Sequence, residues 1–465
     1  MKKRVLGMVL ALSLTAGLLA GCKGSASQNE TEGTKAADVT QAQTQASGGA
    51  DQSTQAAEDK PYAGTTIVMN LNTPSEAIRE QYDAWLEDLK KKVMDQTGIE
   101  LQVEMVSWGD YLNKHLTSIA SQEGPDIIQM GSSVPPVIAA AGGLLDLTPY
   151  MDELGGMDVY YDVGKYYCTW DGKMMAIPWG GGGREIYYNK DIYDAAGLEY
   201  PSNDWTFEEF TEDAKALTEY MGKPAFAIMG SANDTTYYFW SQLITDGGNV
   251  LNDDMTKSEF NGQEGVDAVK RIVDMYNNGY IPSSFAESTV DDILPAFING
   301  EVALSYGNAS WWQDVVANMD GNWGTVAMPV GKAGLANGTV TMSAFGIMSY
   351  TKNPDAAAEV LKILASPEEI VRSTSILGWI PFREDIENDP AYEDNPAKET
   401  FFYVAKQSKA FIPQYQAIST VLSTSTKYLN SIFSQAVTGG NVDEAYIKEQ
   451  LDALAQEVDH VLSQN

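Results

Sequence analysis

Reactive side chains are scarce in this sequence. Its 465 residues hold two histidines, His115 and His460, and two cysteines, Cys22 and Cys168. These have neither the ligand count of a zinc or iron–sulfur site nor the number needed for a disulfide framework. Neither histidine has an obvious catalytic neighbour, and both read as surface or packing residues on helices. No Gly-x-Ser-x-Gly, His-Glu-x-x-His or Ser/His/Asp pattern occurs. Carboxylates are plentiful, at 64 Asp plus Glu. A glycosidase needs only two of them ~5–10 Å apart, so counting does not exclude that chemistry. The run Gly180-Gly181-Gly182-Gly183 is followed by Arg184 and lacks the Gly-x-x-x-x-Gly-Lys-Ser/Thr of a phosphate loop. No cofactor and no metal are expected.

What the chain does offer is aromatic surface, with 10 Trp and 24 Tyr. A flat indole or phenol covers the apolar C–H face of a pyranose, while Asp, Asn, Gln and Arg serve its rim of hydroxyls. Net charge points the same way by exclusion. Against 64 acidic residues stand 30 Lys plus Arg, a balance of −34. Such a surface repels phosphate backbones and anionic lipid heads, so nucleic acid is not an expected partner.

The amino terminus reads as an address. Lys2, Lys3 and Arg4 precede an uncharged stretch to Leu19, the pattern of a signal peptide over residues 1–21. Leu19-Ala20-Gly21-Cys22 looks like a bacterial lipobox, which makes Cys22 the expected lipidation site and membrane anchor. Residues 22–60 are then the lipidated cysteine and a Gln/Ser/Thr/Ala/Gly/Glu-rich linker that cannot bury enough surface to order itself. Cys168 reads as a core residue.

Elements that could position a site begin near Pro61. Thr65–Leu71 is a strand by its β-branched content. Ser75–Gln96 is a helix, with Ile78, Tyr82, Trp85, Leu86, Leu89 and Val93 at 3–4 spacing and Gly98 beyond its end. Further strands at 99–106 and 125–130 alternate with helices at 111–121 and 134–141. That alternation predicts an α/β sheet covered on both faces, with ligands at the loops 72–75, 107–109 and 130–133 beyond the strand ends. Strands at 174–179 and 185–188 flank the four glycines, which are expected to form a connection that bends.

A series of segments then carries a resemblance. They are Gly124-Pro125-Asp126-Ile127-Ile128, Gly143-Leu144-Leu145-Asp146-Leu147-Thr148-Pro149-Tyr150, Ile177-Pro178 leading to Tyr187-Tyr188-Asn189-Lys190-Asp191, Asp246-Gly247-Gly248, Ala296–Leu304, Gly307-Asn308-Ala309-Ser310-Trp311 and Asn353-Pro354-Asp355-Ala356-Ala357. In this order and spacing, over nearly all of 62–465, the chain resembles the extracellular solute-binding proteins of ATP-binding-cassette importers, in their carbohydrate-binding branch. The resemblance implies a periplasmic-binding-protein-like fold of type II over 61–465. Its two lobes would each be a mixed sheet flanked by helices, closing on a sugar about a hinge of crossing segments. Lobe 1 would hold about 62–178 and 305–350, and lobe 2 about 186–303 and 352–465. The crossings would fall near 179–185, 304–307 and 349–352, with Gly180, Gly181, Gly182 and Gly183 as hinge residues.

It also implies a ligand set. Trp311 matches a family Gly-x-x-x-Trp position, and its neighbour Trp312 is a further candidate, one of the two packing while the other faces ligand; Tyr237 matches an aromatic that contacts sugar; Trp108 opens a loop facing the cleft. Trp379 and Trp179 are further aromatic candidates, and Asn72, Ser132, Ser133 and Asn308 are polar ones. Two departures stand out: Met130–Val134 lacks the Asp and Arg of a Trp-x-x-Asp-Arg contact, and Ser425 replaces a late aromatic, so a maltodextrin ligand does not follow. Arg184 either pairs with a carboxylated sugar or forms a surface salt bridge. The expected partners are a mono- or oligosaccharide, the importer's permease and, through Cys22, the membrane. The expected state is a monomer on the outer face of the cell membrane, on the periplasmic side in a two-membrane cell. A glycan-active enzyme and a surface adhesin or sensor with the same fold are the alternatives.

Overall fold

The computed structural model describes residues 60–464 apart from 309–310, 336–338, 394, 396 and 408–409. The expected leader, Cys22 and nearly all of the linker lie outside the described residues. No described helix is long and apolar enough to cross a membrane.

In chain order the strands are β1 (Thr66–Asn72), β2 (Glu100–Val106), β3 (Ile127–Gly131), β4 (Thr169–Trp170), β5 (Lys173–Met174), β6 (Ile177–Asn189), β7 (Phe226–Ala227), β8 (Leu304–Asn308), β9 (Trp323–Val326), β10 (Thr339–Ile347) and β11 (Ile380–Pro381). β4 and β5 form a separate hairpin; the rest make one mixed sheet in the order β2-β1-β3-β10-β6-β8-β7, with β9 and β11 also paired to β6. β1 runs parallel to β2 and β3, as helical crossovers require. β10 is inserted antiparallel between β3 and the first part of β6.

β6 joins the two halves of the sheet. Its 13 residues are buried throughout. From Ile177 to Arg184 it pairs with β10, and from Arg184 to Tyr188 with β8, so Arg184 is the residue at which the partner changes. β9 also lies on this second part, at Ile186–Asn189. β8 and β9 therefore belong with the second half of the sheet, not with the first as expected for 305–350, and only β10 of that span pairs in the first half. The helices Pro354–Leu364 and Pro367–Leu377 were expected in the second lobe, yet the latter packs on the first long helix, Arg79–Thr97. There Trp85 donates its indole N–H to Glu369 (3.0 Å) and Lys92 bridges the same carboxylate at 2.8 Å.

Local sequence explains the main helices. Arg79–Thr97 buries Tyr82, Trp85, Leu86, Leu89 and Val93 on one face, and Gly98 closes it at φ +82°, a conformation a Cβ would strain. Thr206 and Glu209 form a reciprocal capping box that starts Phe207–Met221. The core is continuous across most of the sheet. A smaller cluster under the second half holds Tyr187, Phe297, Trp311, Val315 and Trp323.

The glycine run does not bend. Gly180–Gly183 lie in mid-strand, and none has a positive φ. Two of them meet a demand of space: a Cβ on Gly180 would collide with the Thr374 methyl, and one on Gly181 with the Thr341 carbonyl and with Met342 Cα, 2.7 Å away, whereas one on Gly183 would make only an ordinary contact with Glu185 at 3.5 Å. Two backbones and a helix approach too closely at Gly180 and Gly181 for any side chain.

Candidate functional site

Two adjoining cavities open where the strand ends of the first half face the second half. The larger, about 590 Å³, is lined by Trp108, Ser133, Gly182, Arg184, Tyr237 and Trp379, among others. The smaller, about 410 Å³, is lined by residues including Asn72, Gln129, Trp311 and Asp314. Trp108, Asp234, Asn308 and Trp379 line both, so the two are chambers of one cleft. The volumes lie in the range of small-molecule sites.

Each wall traces to an element. Asn72 ends β1, Trp108 follows β2, and Ser132 and Ser133 follow β3, which are the carboxyl ends of neighbouring strands. Opposite them, Asn233 and Asp234 occupy the first turn of the helix Asn233–Thr245, Tyr237 the next, and Asn308 ends β8; Trp379, after the helix Pro367–Leu377, stands on the side of the first half.

The aromatic candidates separate into platforms and packing. Trp108 is 52% exposed, with its ring against Tyr111 at 6.0 Å between centroids. Trp379 is half-buried and meets Trp179 edge-on at 5.5 Å. Tyr237 is half-buried beneath the Arg184 guanidinium, which lies 4.7 Å from its ring centre. Burial raises the Tyr237 phenol above its ordinary range, opposed by Arg184 and by a hydrogen bond with Ser133. Trp311 lines the smaller chamber but is only 2% exposed; it packs on Tyr187 at 5.7 Å and fills the space where Gly307 has no side chain.

Two candidates are corrected. Trp179 lines neither chamber: it is buried, stacks on Trp85 at 6.3 Å, and donates its indole N–H to Ser373 Oγ at 3.1 Å. The reason is a break in register. Pro178 pairs with Ala344 and Gly180 with Ser343, which leaves Trp179 unpaired and turns it into the core. Trp312 also lines neither chamber, because it packs over Gly378, where a Cβ would come within 2.7 Å of its ring.

The polar candidates differ in what they leave available. Ser132 is buried and bonds the backbone of Met342 as donor to the carbonyl (3.3 Å) and acceptor from the N–H (2.8 Å), so it fastens β3 to β10. Asn308 lines both chambers. Asn72 is 5% exposed; its backbone N–H donates to Gln129 Oε1 at 2.9 Å, and its side-chain amide has no partner. Ser425 is fully buried and donates to the Val421 carbonyl at 2.8 Å, whereas Ser419 and Leu422 of the same helix, Ile418–Val437, reach the larger chamber.

Arg184 is neither a free anion receptor nor on the surface. It is 8% exposed and forms an ion pair with Asp234 in the cleft wall. The next residue, Glu185, has 0% exposure, and burial pushes its carboxyl well above the usual range. His115 is buried against Tyr111, with ring centroids 4.3 Å apart, and burial lowers its pKa to about 4. Among the described residues no group of His, Cys, Asp and Glu could hold a metal ion. Asp126 is structural: it accepts from Val68 N–H (2.9 Å) and Thr351 Oγ1 (2.5 Å).

Sequence reasoning missed Asp234, Gln129, Gln313 and Asp314, all of which line the cleft. Gln129 carried a signal, as the one polar residue in the apolar run Ile127–Met130. The cleft thus combines flat apolar faces with amides, hydroxyls and carboxylates, and it can hold a polyhydroxylated ring without covalent chemistry.

A family model described as bacterial extracellular solute-binding protein matches residues 77–370. The diacetylchitobiose binding protein DasA of Streptomyces coelicolor is 25% identical over 387 residues, 80% of this chain and 86% of its own. Among solved structures, the sugar-binding protein MalE from Xanthomonas citri superposes with a TM-score of 0.74 at 21% identity, covering 86% of this chain and 98% of that one. The GacH receptor of Streptomyces glaucescens, solved unliganded and with acarbose, gives 0.70 at 20% identity, covering 84% and 99%.

Proposed function

This chain belongs to the bacterial extracellular solute-binding protein family, with the two-lobed α/β fold of its structural neighbours, and from that premise we propose that it captures a sugar or oligosaccharide in the cleft and delivers it to an ATP-binding-cassette permease. The family acts outside the cytoplasm, and its curated relatives are binding proteins. The observation that carries the reading is the cleft lining, in which Trp108 from one half and Tyr237 from the other supply ring faces while Asn72, Ser133 and Asn308 supply polar contacts. Diacetylchitobiose and acarbose, named for two relatives, fit that chemistry.

Lobe 1 comprises β1, β2, β3, β10 and the first part of β6; lobe 2 comprises β7, β8, β9 and the rest of β6. The pivot lies in β6 at Arg184, where pairing changes from β10 to β8. A ligand touching both lobes favours the closed form by the contacts that only that form provides, and the permease reads closure. Catalysis plays no part. Cys22 carries the lipid anchor, which holds a monomeric binding domain at the membrane.

The test is a thermal-shift screen of the intact chain against mono- and oligosaccharides, polyols and amino acids, followed by calorimetry and product analysis of each hit. A sugar that raises the melting temperature and is recovered intact supports the reading. A cleaved sugar, or stabilisation by amino acids alone, overturns it.

A further inference from the structure

The two chambers differ in charge. Asp234, Asp291 and Asp314 line the smaller one, and no lysine, arginine or histidine does. Asp234 is held by Arg184, which lies in the larger chamber. The carboxylates of Asp291 and Asp314 have no hydrogen-bond or ion-pair partner among the described residues. Beside them stands the unpartnered amide of Asn72, at 5% exposure, and the Trp311 indole N–H is unpartnered at 2%. Leaving such buried groups unsatisfied is costly, so they mark where a polar ligand belongs. Asp291 is exposed at the chamber mouth and Asp314 is half-buried, so hydroxyls could bond both but would leave the Asp314 charge without a cation in a space of about 410 Å³.

We propose that the smaller chamber receives a protonated amine of the ligand, seated between Asp291 and Asp314 with Asn72 bonding the neighbouring hydroxyls, so that the bound molecule is an amino sugar with a free amine. This rests on the sugar-binding reading above and narrows it. Burial also raises the Asp314 carboxyl above its ordinary range, a penalty on the charged form that an adjacent cation relieves.

The experiment is calorimetry of the intact chain with three oligosaccharides of equal length: glucosamine units, their N-acetylated counterparts, and glucose units. The glucosamine oligomer is expected to bind on the order of tenfold more tightly than the acetylated one, as a charge-assisted contact does. That advantage shrinks as salt is raised. Asp314→Asn, and separately Asp291→Asn, reduce the ratio of the two affinities, with melting temperature checking the fold. Equal or tighter binding of the neutral sugars overturns this inference and leaves the sugar reading standing. Silence toward all three and toward every sugar of the wider screen overturns both.

Discussion

Removing the Trp108 indole separates ligand contact from packing more cleanly than any other change in the cleft. A tryptophan side chain presents up to about 250 Å², and Trp108 is 52% exposed, so about 125 Å² is free for a ligand. A sugar ring covers one face of it, about 60 Å², which at ~25 cal/mol per Å² is about 1.5 kcal/mol, or roughly tenfold in Kd. Trp108→Ala should therefore weaken a sugar found by the screen about tenfold in calorimetry, while leaving the melting temperature nearly unchanged. Trp179→Ala is the control. It removes a buried ring packed on Trp85, Phe345 and Trp379, and should cost about 3–5 kcal/mol of stability. An unchanged Kd for Trp108→Ala, or a loss of stability matching that of Trp179→Ala, would refute the division into platform and core.

Asp234→Asn strands the Arg184 guanidinium in the cleft wall and should cost about 3 kcal/mol in urea unfolding, while the double change Arg184→Met/Asp234→Leu recovers part of that loss. Gly181→Ala places a methyl against the Thr341 carbonyl and should lower stability by about 1–3 kcal/mol; a neutral effect would mean that β6 and β10 are less closely apposed than described. His115 should make stability depend on pH. Its folded pKa of about 4 lies below the ordinary 6.5, so its contribution is complete above pH 6.5 and falls by about 3 kcal/mol as the pH drops toward 4, because the unfolded chain takes up the proton first. His115→Phe should flatten that part of the profile, measured as the difference between the two proteins. Cys22→Ala should release the protein from membranes without altering sugar affinity, and continued sedimentation with membranes would count against the anchor.

Patterns local in the chain were legible. The 3–4 spacing from Tyr82 to Val93 and the left-handed Gly98 define the first long helix, and strand ends followed by polar or aromatic residues located Asn72, Trp108 and Ser133 at the cleft. Features made by distant segments were not. Whether Gly180 and Gly181 bend or pack depends on Thr341, Met342 and Thr374, which approach from elsewhere. Arg184 and Asp234 are 50 positions apart, and nothing local marks them as a pair. Asp291 and Asp314 sit on two short helices, Val290–Ile298 and Trp312–Asn318, that follow one another only after β8 intervenes. Adjacent tryptophans were read as one inside and one outside; Trp311 and Trp312 both pack, and only the first reaches a chamber wall.

The insertion of β10 between β3 and β6 also bears on when the molecule folds. Neither β3 nor the first part of β6 has its central neighbour until residues 339–347 have been made, and β11 arrives later still. The nascent amino-terminal segment is thus left with a gap in mid-sheet, and closing it requires contacts across more than 150 residues. Such non-local pairing is slow to form. Until that late strand arrives, β3 and the first part of β6 each present an unpaired edge, which is open to pairing with another chain.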